Sequence, residues 1–354
     1  MKALLTATKP VSIAQIGCGY WGPNLLRNLA SHPGFRLAAL VEKREARRAY
    51  VAAHYPGVQL YNDVSSILAD PEISALVIAT PAATHFELTE AAIKAGKHVL
   101  VEKPLATRVA DADRLIELAN RHGSVLMAGH TFLYHDAVHE LRRMLLDDFL
   151  GQNFYMHSQR LNLGQLRSDV NVWWNLAPHD LSILCFLAGD RMPSTISASG
   201  TAFLQPGIED VVTATLVWDD GLTAFVHVSW LDPNKVRRLT LVGSRRMVVY
   251  DDMSDYKITV LDKGFDHLPH IGDNMDFDDA PMVRFEQREG EIHKPYIRIR
   301  EPLRNEIDHF CECIATGKEP RTGGRHARDI VALLEAGQES IKAGGRPIAP
   351  SLPA

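Results

Sequence analysis

The sequence predicts a doubly wound α/β domain followed by an α+β domain with a large, mostly antiparallel open sheet. Over about the first 130 residues, continuous apolar strands alternate with helical patterns, which is typical of a parallel sheet covered on both faces. Beyond that point, several β-rich segments follow one another across short turns, as in an antiparallel sheet. A chain of 354 residues is long for one core, so we expect two domains, residues 1–132 and 133–354.

The elements of the first domain follow from periodicity. Apolar runs predict strands at 11–17, 36–42, 58–61, 74–81, 98–104 and 125–130. Helical spacing of apolar residues predicts helices at 22–33, 44–55, 64–68, 85–97 and 110–123. Right-handed crossovers between such strands give the doubly wound arrangement.

The second domain is predicted to be mixed. A helix at 135–148 leads to a strand at 153–161. Further strands are predicted at 194–204, 210–218, 222–230, 237–243, 246–252 and 256–262. Helices return at 302–317 and 326–345. An antiparallel sheet of this kind can leave one face open for a partner or a substrate.

Composition excludes several classes of protein. The net charge is −5 with no block of basic residues, so we expect no nucleic-acid partner. No apolar run reaches about 18 residues, so we expect no membrane span. The first residues lack the long apolar core of a signal peptide. The four cysteines are scattered, so we expect neither disulfides nor a zinc site, and a reducing cytoplasm fits.

A glycine pattern follows the first strand and opens the first helix. Gly17, Gly19 and Gly22 have the GxGxxG spacing, which in this context predicts a dinucleotide site with its pyrophosphate at the helix N-terminus. Tyr20 and Trp21 lie between these glycines and are expected to contact the cofactor. An ordinary strand–helix turn is the alternative.

The end of the second strand bears on the choice of cofactor. Glu42 lies 20 residues after Gly22, where a carboxylate can accept the ribose hydroxyls and repel a 2′-phosphate. This favours NAD over NADP. The adjacent Lys43 and Arg44 weaken the argument, because they could reach a phosphate.

Two more strands end in polar residues at the edge where ligands bind in open α/β sheets. We expect these residues to lie along the cofactor: Thr80, Pro81, His85, Glu102 and Lys103. Pro104 restricts the backbone of Lys103, so the strand presents an amine at a defined place. A solvated salt bridge between Glu102 and Lys103 is the alternative.

Taken together, the glycine pattern, Glu42, "TPAATH" and "EKP" resemble the Gfo/Idh/MocA family of oxidoreductases, over nearly the whole chain. The resemblance implies a Rossmann domain, a nicotinamide cofactor, and a sugar, cyclitol or sugar-nucleotide substrate. It also implies that Lys103 contacts the reacting hydroxyl. Family members often form dimers or tetramers through the open sheet.

The family places a histidine near the reacting carbon, usually in a D-x-x-x-H pattern. In "WWNLAPHDLSIL" His179 takes the histidine position, and Asn175 stands where the aspartate is expected. By the resemblance, His179 is the base in alcohol oxidation and Asn175 its partner, while Glu102 keeps Lys103 charged. Asp180 is adjacent, but neighbouring side chains on a helix point apart.

The segment before this helix is polar. It contains Arg160, Asn162, Arg167 and Asn171. Such donors and acceptors suit sugar hydroxyls, and an arginine can grip a diphosphate in a fork. A solvated loop is equally compatible with the pattern. Trp173 and Trp174 either stack on a ligand or pack in the core.

Two further patterns are discounted as metal sites. His135 and His139 have zinc-like spacing but no evident third ligand, so we interpret them as part of a surface helix. The acidic segment 273–279 lacks the pattern of a calcium loop.

The sequence therefore predicts an NAD-dependent oxidoreductase acting on a secondary alcohol or ketone of a sugar or sugar nucleotide. A 3-dehydrogenase of a nucleotide-linked hexose is the leading hypothesis. An inositol or cyclitol dehydrogenase is the alternative within the class, and a non-catalytic NAD-binding regulator the alternative outside it. A homodimer or homotetramer is expected.

Overall fold

The computed structural model describes residues 9–268 and 284–352. The acidic segment 273–279 lies outside these residues. The first half of the chain contains β1 (Val11–Ile16), α1 (Gly22–Ala30), β2 (Phe35–Val41), α2 (Glu45–His54), β3 (Gln59–Tyr61), α3 (Ser65–Ala69), β4 (Ala75–Ile78), α4 (His85–Lys94), β5 (His98–Glu102), α5 (Val109–His122) and β6 (Leu126–Gly129). All of the predicted elements of the first domain are present, with small differences at their ends.

The first sheet is parallel, with strand order β3-β2-β1-β4-β5-β6. The order reverses between β1 and β4, which lie side by side. In open α/β sheets, this is where a crevice opens beyond the carboxyl ends of the strands. The four residues of β4 are all buried, as the continuous apolar run predicts for a strand covered on both faces. The doubly wound prediction is confirmed.

The second half begins with α6 (Asp136–Leu146), β7 (Asn153–Leu163) and α7 (Val172–Leu187). The strands that follow are β8 (Thr195–Thr201), β9 (Val211–Val217), β10 (Thr223–Ser229), β11 (Leu231–Gly243), β12 (Met247–Asp251), β13 (Ile258–Leu268) and β14 (Arg284–His293). They join β7 in an eight-stranded sheet of order β14-β13-β12-β11-β7-β10-β9-β8.

The prediction of a large, mostly antiparallel sheet is confirmed. One pair is parallel, β7 with β10, because α7, β8 and β9 intervene between them in the chain. One strand, β14, was not predicted from the sequence. Its charged sequence lacks the apolar alternation that marked the other strands, since it pairs only with β13 at the sheet edge.

The last two helices, α8 (Pro302–Thr316) and α9 (Gly324–Lys342), contact both halves. Helix α8 packs on α1, and α9 packs on α5 as well as on α7 and β8. Between them, Thr322 O accepts a 2.8 Å hydrogen bond from Ala128 N on β6. One apolar core runs from the first sheet into the second. The boundary near residue 132 stays a prediction, because 302–342 serves both halves.

None of the helices in the described part of the chain is long and apolar enough to span a membrane.

Candidate active site

The loop between β1 and α1 has the shape of a phosphate cradle. Gly17 has φ +91°, and a Cβ there would lie 2.5 Å from Ala79 O, so this position requires glycine. At Gly19, a Cβ would meet nothing within 4 Å, which leaves open space beside the backbone. The first turn of α1 carries no acidic residue. These features fit the pyrophosphate of a dinucleotide at a helix N-terminus.

Gln15, which was not predicted from the sequence, fixes the shape of this loop. Gln15 is a buried amide on β1, and its Nε2 donates to Gly17 O at 2.8 Å and to Gly22 O at 3.1 Å. One side chain thereby joins the first and third glycines. A polar residue within the apolar run "VSIAQIG" was the available signal.

Glu42 is buried and already holds protein groups. Its Oε2 accepts from Cys18 N at 2.7 Å, and its Oε1 accepts from Arg44 N and Nε at 3.0 Å each. Although burial raises it, these hydrogen bonds from Arg44 and Cys18 bring the pKa of Glu42 down to about 2. The carboxylate is therefore charged and fixed next to the glycine loop, with the half-exposed Arg44 guanidinium beside it.

The two aromatic residues of the loop differ in exposure. Tyr20 is 87% exposed and Trp21 39%. The Trp21 side chain is also hydrogen-bonded to the Glu102 carboxyl, which helps that group to keep its charge. Trp21 thus connects the cofactor loop to the end of β5.

His85 lies behind the cleft, so the expectation that it contacts the cofactor is wrong. It is 1% exposed, and its ring nitrogens lie 2.7 Å from Pro104 O and 2.9 Å from Thr80 O. Thr80 itself lines the cleft, and Pro81 begins the turn that leads to α4. His85 therefore ties the β4 end to the "EKP" turn, because a ring flanked by two carbonyl oxygens joins both segments.

A cleft of about 50 Å³ lies between the two halves. Its lining residues are Thr80, Ala82, Lys103, Pro104, Arg167, Val170, Trp174 and Asn175. The peptide between Lys103 and Pro104 is cis, and Lys103 Nζ donates to Asn175 O at 2.7 Å. The first domain thus delivers its amine to the N-terminal part of α7.

The Lys103 amine and the Glu102 carboxyl have opposite, environment-driven shifts. Burial lowers the pKa of Lys103 to about 8, although the Glu102 charge opposes the change. Burial raises the pKa of Glu102 to about 7, against the lowering by Lys103. As expected, the Glu102 charge raises the pKa of Lys103 and so favours the charged amine. Burial lowers this pKa by more than the Glu102 charge raises it. Burial therefore favours the neutral form of each group, and the charge of the other group opposes this.

A second buried acid lies near Glu102. Glu306 of α8 is fully buried, its Oε2 accepts from Thr131 Oγ1 at 2.8 Å, and burial together with the Glu102 charge holds its pKa well above the usual range. The sequence analysis missed it. A glutamate three residues after Leu303 on the apolar face of the helix was the signal.

His179 faces a cationic environment. Its Nδ1 is buried with no hydrogen-bond partner among the described residues, and its ring contacts Phe132 edge-on at a centroid distance of 5.1 Å. Its pKa lies well below the usual value. The causes are burial first and then the charges of Lys103, Arg160, His130 and Arg237. His179 is therefore neutral near pH 7.

Comparison with known families assigns the two halves. Residues 11–130 match a family profile described as an oxidoreductase family with an NAD-binding Rossmann fold. Residues 138–249 match the GFO/IDH/MocA C-terminal domain, and the two matches together cover more than half of the chain. The chain belongs to the Gfo/Idh/MocA oxidoreductase family.

Among curated relatives, D-apiose dehydrogenase from Paraburkholderia graminis is 27% identical over an alignment that covers 97% of this chain and 91% of the relative. UDP-N-acetylglucosamine 3-dehydrogenase from Acidithiobacillus ferrooxidans is 28% identical, with 84% of this chain and 87% of the relative covered. The solved structure of the Acidithiobacillus enzyme has a TM-score of 0.76 at 27% identity, covering 95% of this chain and 99% of that one. This Gfo/Idh/MocA protein is therefore an NAD-dependent oxidoreductase related to sugar dehydrogenases.

The expected partnership of Asn175 with His179 is wrong. Asn175 Oδ1 accepts from Trp230 Nε1 at 3.2 Å, and its backbone carbonyl accepts from Lys103. The side chain is held by Trp230, in the bend between β10 and β11, rather than by the histidine four residues later. In this Gfo/Idh/MocA protein, Asn175 positions Lys103 through its carbonyl.

Arg160 and Asn171, both predicted to bind substrate, form hydrogen bonds within the protein instead. Arg160 and Asp180 form a buried ion pair, with Nε 2.7 Å from Oδ2, so Arg160 is not a free fork for a diphosphate. Asn171 is the N-cap of α7: its Oδ1 accepts from Trp174 N at 3.1 Å, and its Nδ2 donates to Gln338 Oε1 at 2.7 Å. These two predictions are wrong, because each side chain satisfies a buried polar group.

The other two residues of this segment, Asn162 and Arg167, differ in their surroundings. Asn162 is half-buried on β7, and its Oδ1 has no partner among the described residues. Arg167 lines the cleft in a two-bond pair with Asp169 at 2.7 and 2.8 Å. Of the two tryptophans, Trp173 is fully buried and packs in the core, whereas Trp174 lines the cleft, where it can contact a ligand.

His135 and His139, at the start of α6, are not exposed on a surface helix as we expected. His135 is buried and caps α6 by accepting from Ala137 N at 3.1 Å. His139 Nε2 lies 2.9 Å from Leu133 O. Each ring serves the helix start, so their spacing reflects capping and packing.

Proposed function

We propose that this protein oxidises a secondary alcohol of a sugar nucleotide, at C3 of a nucleotide-linked hexose, or reduces the matching ketone, with NAD as the cofactor. The observation that carries the proposal is the cleft in which Lys103 from the first domain meets α7, the helix that bears His179, from the second. The relationship to a UDP-N-acetylglucosamine 3-dehydrogenase supports the substrate class.

The cofactor residues follow from the cradle. Gly17, Gly19 and the start of α1 would hold the pyrophosphate, and Glu42 would face the adenosine ribose. NAD, when bound, accepts a hydride from the reacting carbon. Tyr20 is exposed at the loop and is free to cover the bound molecule.

Lys103 is the proton acceptor in our mechanism. A base works best when its pKa lies near the working pH, and burial brings the pKa of Lys103 to about 8. A neutral amine takes the hydroxyl proton as the alcohol becomes a ketone. This revises the sequence-based prediction that His179 is the base, because burial first, and then the neighbouring positive charges, lower the pKa of His179 and disfavour an imidazolium there.

His179 then orients the substrate. A neutral imidazole has one N–H and one acceptor nitrogen, so it can hydrogen-bond the reacting hydroxyl or its neighbour without taking up the proton. In the reverse direction, Lys103 returns a proton to the ketone oxygen. The Asn175 carbonyl, 2.7 Å from Lys103 Nζ, keeps the amine aimed into the cleft between these events.

Two alternatives remain within the enzyme class. A cyclitol substrate is favoured by the relationship to an inositol 2-dehydrogenase, and a free sugar by the relationship to D-apiose dehydrogenase. A non-catalytic NAD-binding regulator is the alternative of another class, which the presence of Lys103 and His179 argues against.

We further propose a homodimer or homotetramer formed through the open sheet. The face away from the helices carries a recess of about 470 Å³ whose lining includes His157, Phe225 and His227. Phe225 and Tyr155 are 41% and 38% exposed there. Exposed aromatic side chains on a sheet face are typical of a protein interface.

The test is a substrate screen followed by one substitution. UDP-hexoses, inositols and free sugars are compared for NADH formation. On the best substrate, we expect Lys103→Met to lose at least 100-fold in kcat, about 2.7 kcal/mol, while NAD binding measured by calorimetry is unchanged. Lys94→Met, at an exposed lysine paired with Glu90, is the matched control. A Lys103→Met variant that retains more than about a tenth of the activity contradicts the mechanism.

A further inference from the structure

Two arginines face each other on the sheet next to His179. Arg160 on β7 and Arg237 on β11 are directly opposite in the antiparallel register. Both guanidinium groups lie over the ring of Phe132, at 4.6 and 5.9 Å from its centroid. The Phe132 ring in turn contacts His179 at 5.1 Å. Like charges directly opposite on a sheet are destabilising. Each arginine therefore needs either a carboxylate partner within the protein or an anionic ligand.

Arg160 is compensated within the protein. Its side chain is 7% exposed and that of Asp180 4%, and two of its nitrogens bond the carboxylate at 2.7 and 3.2 Å. Ser158 Oγ completes the site by donating to Asp180 at 2.7 Å. This pair is closed to solvent and to substrate.

Arg237 is compensated only in part. Its Nη1 lies 3.0 Å from Asp252 Oδ2, and within residues 9–268 and 284–352 its Nε and Nη2 make no hydrogen bond. Asp252 is shared, because Tyr250 donates to it at 3.1 Å and His135 Nε2 lies 3.6 Å away. The Arg237 side chain is 37% exposed, against 14% for Asp252. Arg237 therefore keeps a charge and open donors on the His179 side of the sheet.

Three basic side chains lie near His179, and they differ in how far they are paired. Lys103 has the Glu102 carboxylate beside it and Arg160 is closed by Asp180, whereas Arg237 is partly exposed and shares its carboxylate with other groups. A neutral polyol gains little from a partly paired guanidinium. An anionic substrate gains from it both in approach and in binding, because the buried surroundings screen charge poorly.

We propose that Arg237 determines substrate specificity by binding an anionic group of the substrate, a diphosphate or a carboxylate. The inference rests on the proposed sugar dehydrogenase function and assigns recognition of the substrate's anionic group to one residue. Arginine suits this role because its planar fork can donate two parallel bonds to a phosphate or carboxylate while Nη1 stays on Asp252. Arg237 was not predicted from the sequence, because it lies on a strand 58 residues after His179.

The experiment compares Arg237→Gln with wild type on three substrates: a UDP-hexose, a hexuronic acid and an uncharged inositol. For the anionic substrate that the enzyme uses, we expect KM to rise about 10- to 100-fold with kcat within about threefold, since a charge-assisted contact is lost outside the reacting centre. The KM for inositol should change less than about twofold. Whether the UDP-hexose or the hexuronic acid shows the effect identifies the anion as a diphosphate or a carboxylate.

Two more variants control for folding. Arg238→Gln removes a neighbouring arginine that pairs with Asp251 and points to the opposite face, so its KM should stay unchanged. Arg237→Lys keeps the charge without the fork and should recover part of the lost affinity. Thermal unfolding confirms that each variant is folded.

The outcomes separate this inference from the proposed function. If the enzyme oxidises none of the substrates, the proposed function fails. If it oxidises them but prefers inositol, or if Arg237→Gln leaves KM for the anionic substrate unchanged, the specificity inference is overturned and the dehydrogenase assignment stands. An equal rise in KM for charged and uncharged substrates also overturns it, because such a change reflects altered packing.

Discussion

The titration of Lys103 is the sharpest test of the site. The perturbation is Glu102→Gln, which keeps the size of the side chain against Gly129 but removes its charge. The Glu102 charge raises the pKa of Lys103, while burial, the larger influence, lowers it to about 8. Without the carboxylate, we expect the pKa of Lys103 to fall below 8.

The expected pH dependence of kcat/KM follows from the pKa of Lys103 in the wild-type protein. With a pKa of about 8, roughly 9% of Lys103 is neutral at pH 7 and roughly 91% at pH 9. Because the neutral amine is the proton acceptor, kcat/KM for alcohol oxidation should rise by up to about tenfold between these pH values. In Glu102→Gln the rise should come at lower pH, and the gain between pH 7 and 9 should shrink.

The assay combines kinetics with a direct titration. Lysines are labelled with ¹³C at Cε, and the Lys103 signal is assigned by its loss in Lys103→Met. Its midpoint in the free protein is then compared with the acidic limb of the oxidation profile. A Lys103 midpoint near that of exposed lysines, or a limb that Glu102→Gln moves to higher pH, would contradict the role of Lys103 as the base. If the limb persists in the Lys103→Met variant, which still has His179, then His179 is the base.

Three more predictions concern cofactor choice and stability. The wild-type kcat/KM should be higher for NAD than for NADP. Glu42→Ser should narrow this preference, because Arg44 then loses its carboxylate partner and can reach the 2′-phosphate of NADP. A wild-type preference for NADP would disprove the role of Glu42. Asn171→Ala should lower the free energy of unfolding in urea by about 1 to 2 kcal/mol through loss of the α7 cap, without changing the oxidation pH profile; an unchanged stability would contradict the capping role. Burial lowers the pKa of His326 to about 4, below the value of about 6.5 expected when unfolded, so the unfolded state takes up the proton first. Stability should therefore fall by up to about 3 kcal/mol as the pH drops from about 6.5 to 4, and the fall should be shallower in His326→Gln; an equally steep fall would assign the acid sensitivity to other groups.

The first domain could be predicted almost completely, for a physical reason. Its strands are covered on both faces and are continuous apolar runs, and its glycine loop has fixed spacing because the backbone must turn and approach a ligand. Gly17, with its positive φ and close approach to Ala79, is a position where the local chemistry admits one residue type. Lys103 was found for a similar reason, since the strand end and Pro104 fix its place.

The second domain was less predictable where side chains meet across long sequence separations. Arg160 and Asn171 are polar residues near the catalytic helix, and their use as an ion pair and a helix cap depends on Asp180 and Gln338. Asn175 was paired with His179 through the resemblance to the family's D-x-x-x-H pattern, whereas its side chain accepts a hydrogen bond from Trp230, between β10 and β11. A one-dimensional pattern shows which polar groups are near one another in the chain, but not which of them burial will force to bond.

The crossing of residues 322–323 over β6 has a consequence for how the protein is made. β6 is the last strand of the parallel sheet, and its outer edge is paired by Ala128 N to Thr322 O and by a bridge between Met127 and Gly323. During synthesis, about two hundred residues must leave the ribosome after β6 before these partners appear. Until then, the nascent chain presents an unpaired strand edge, which is a template for pairing with other chains. The interval in which this edge can pair with other chains should therefore end only when the segment that links α8 to α9 has docked.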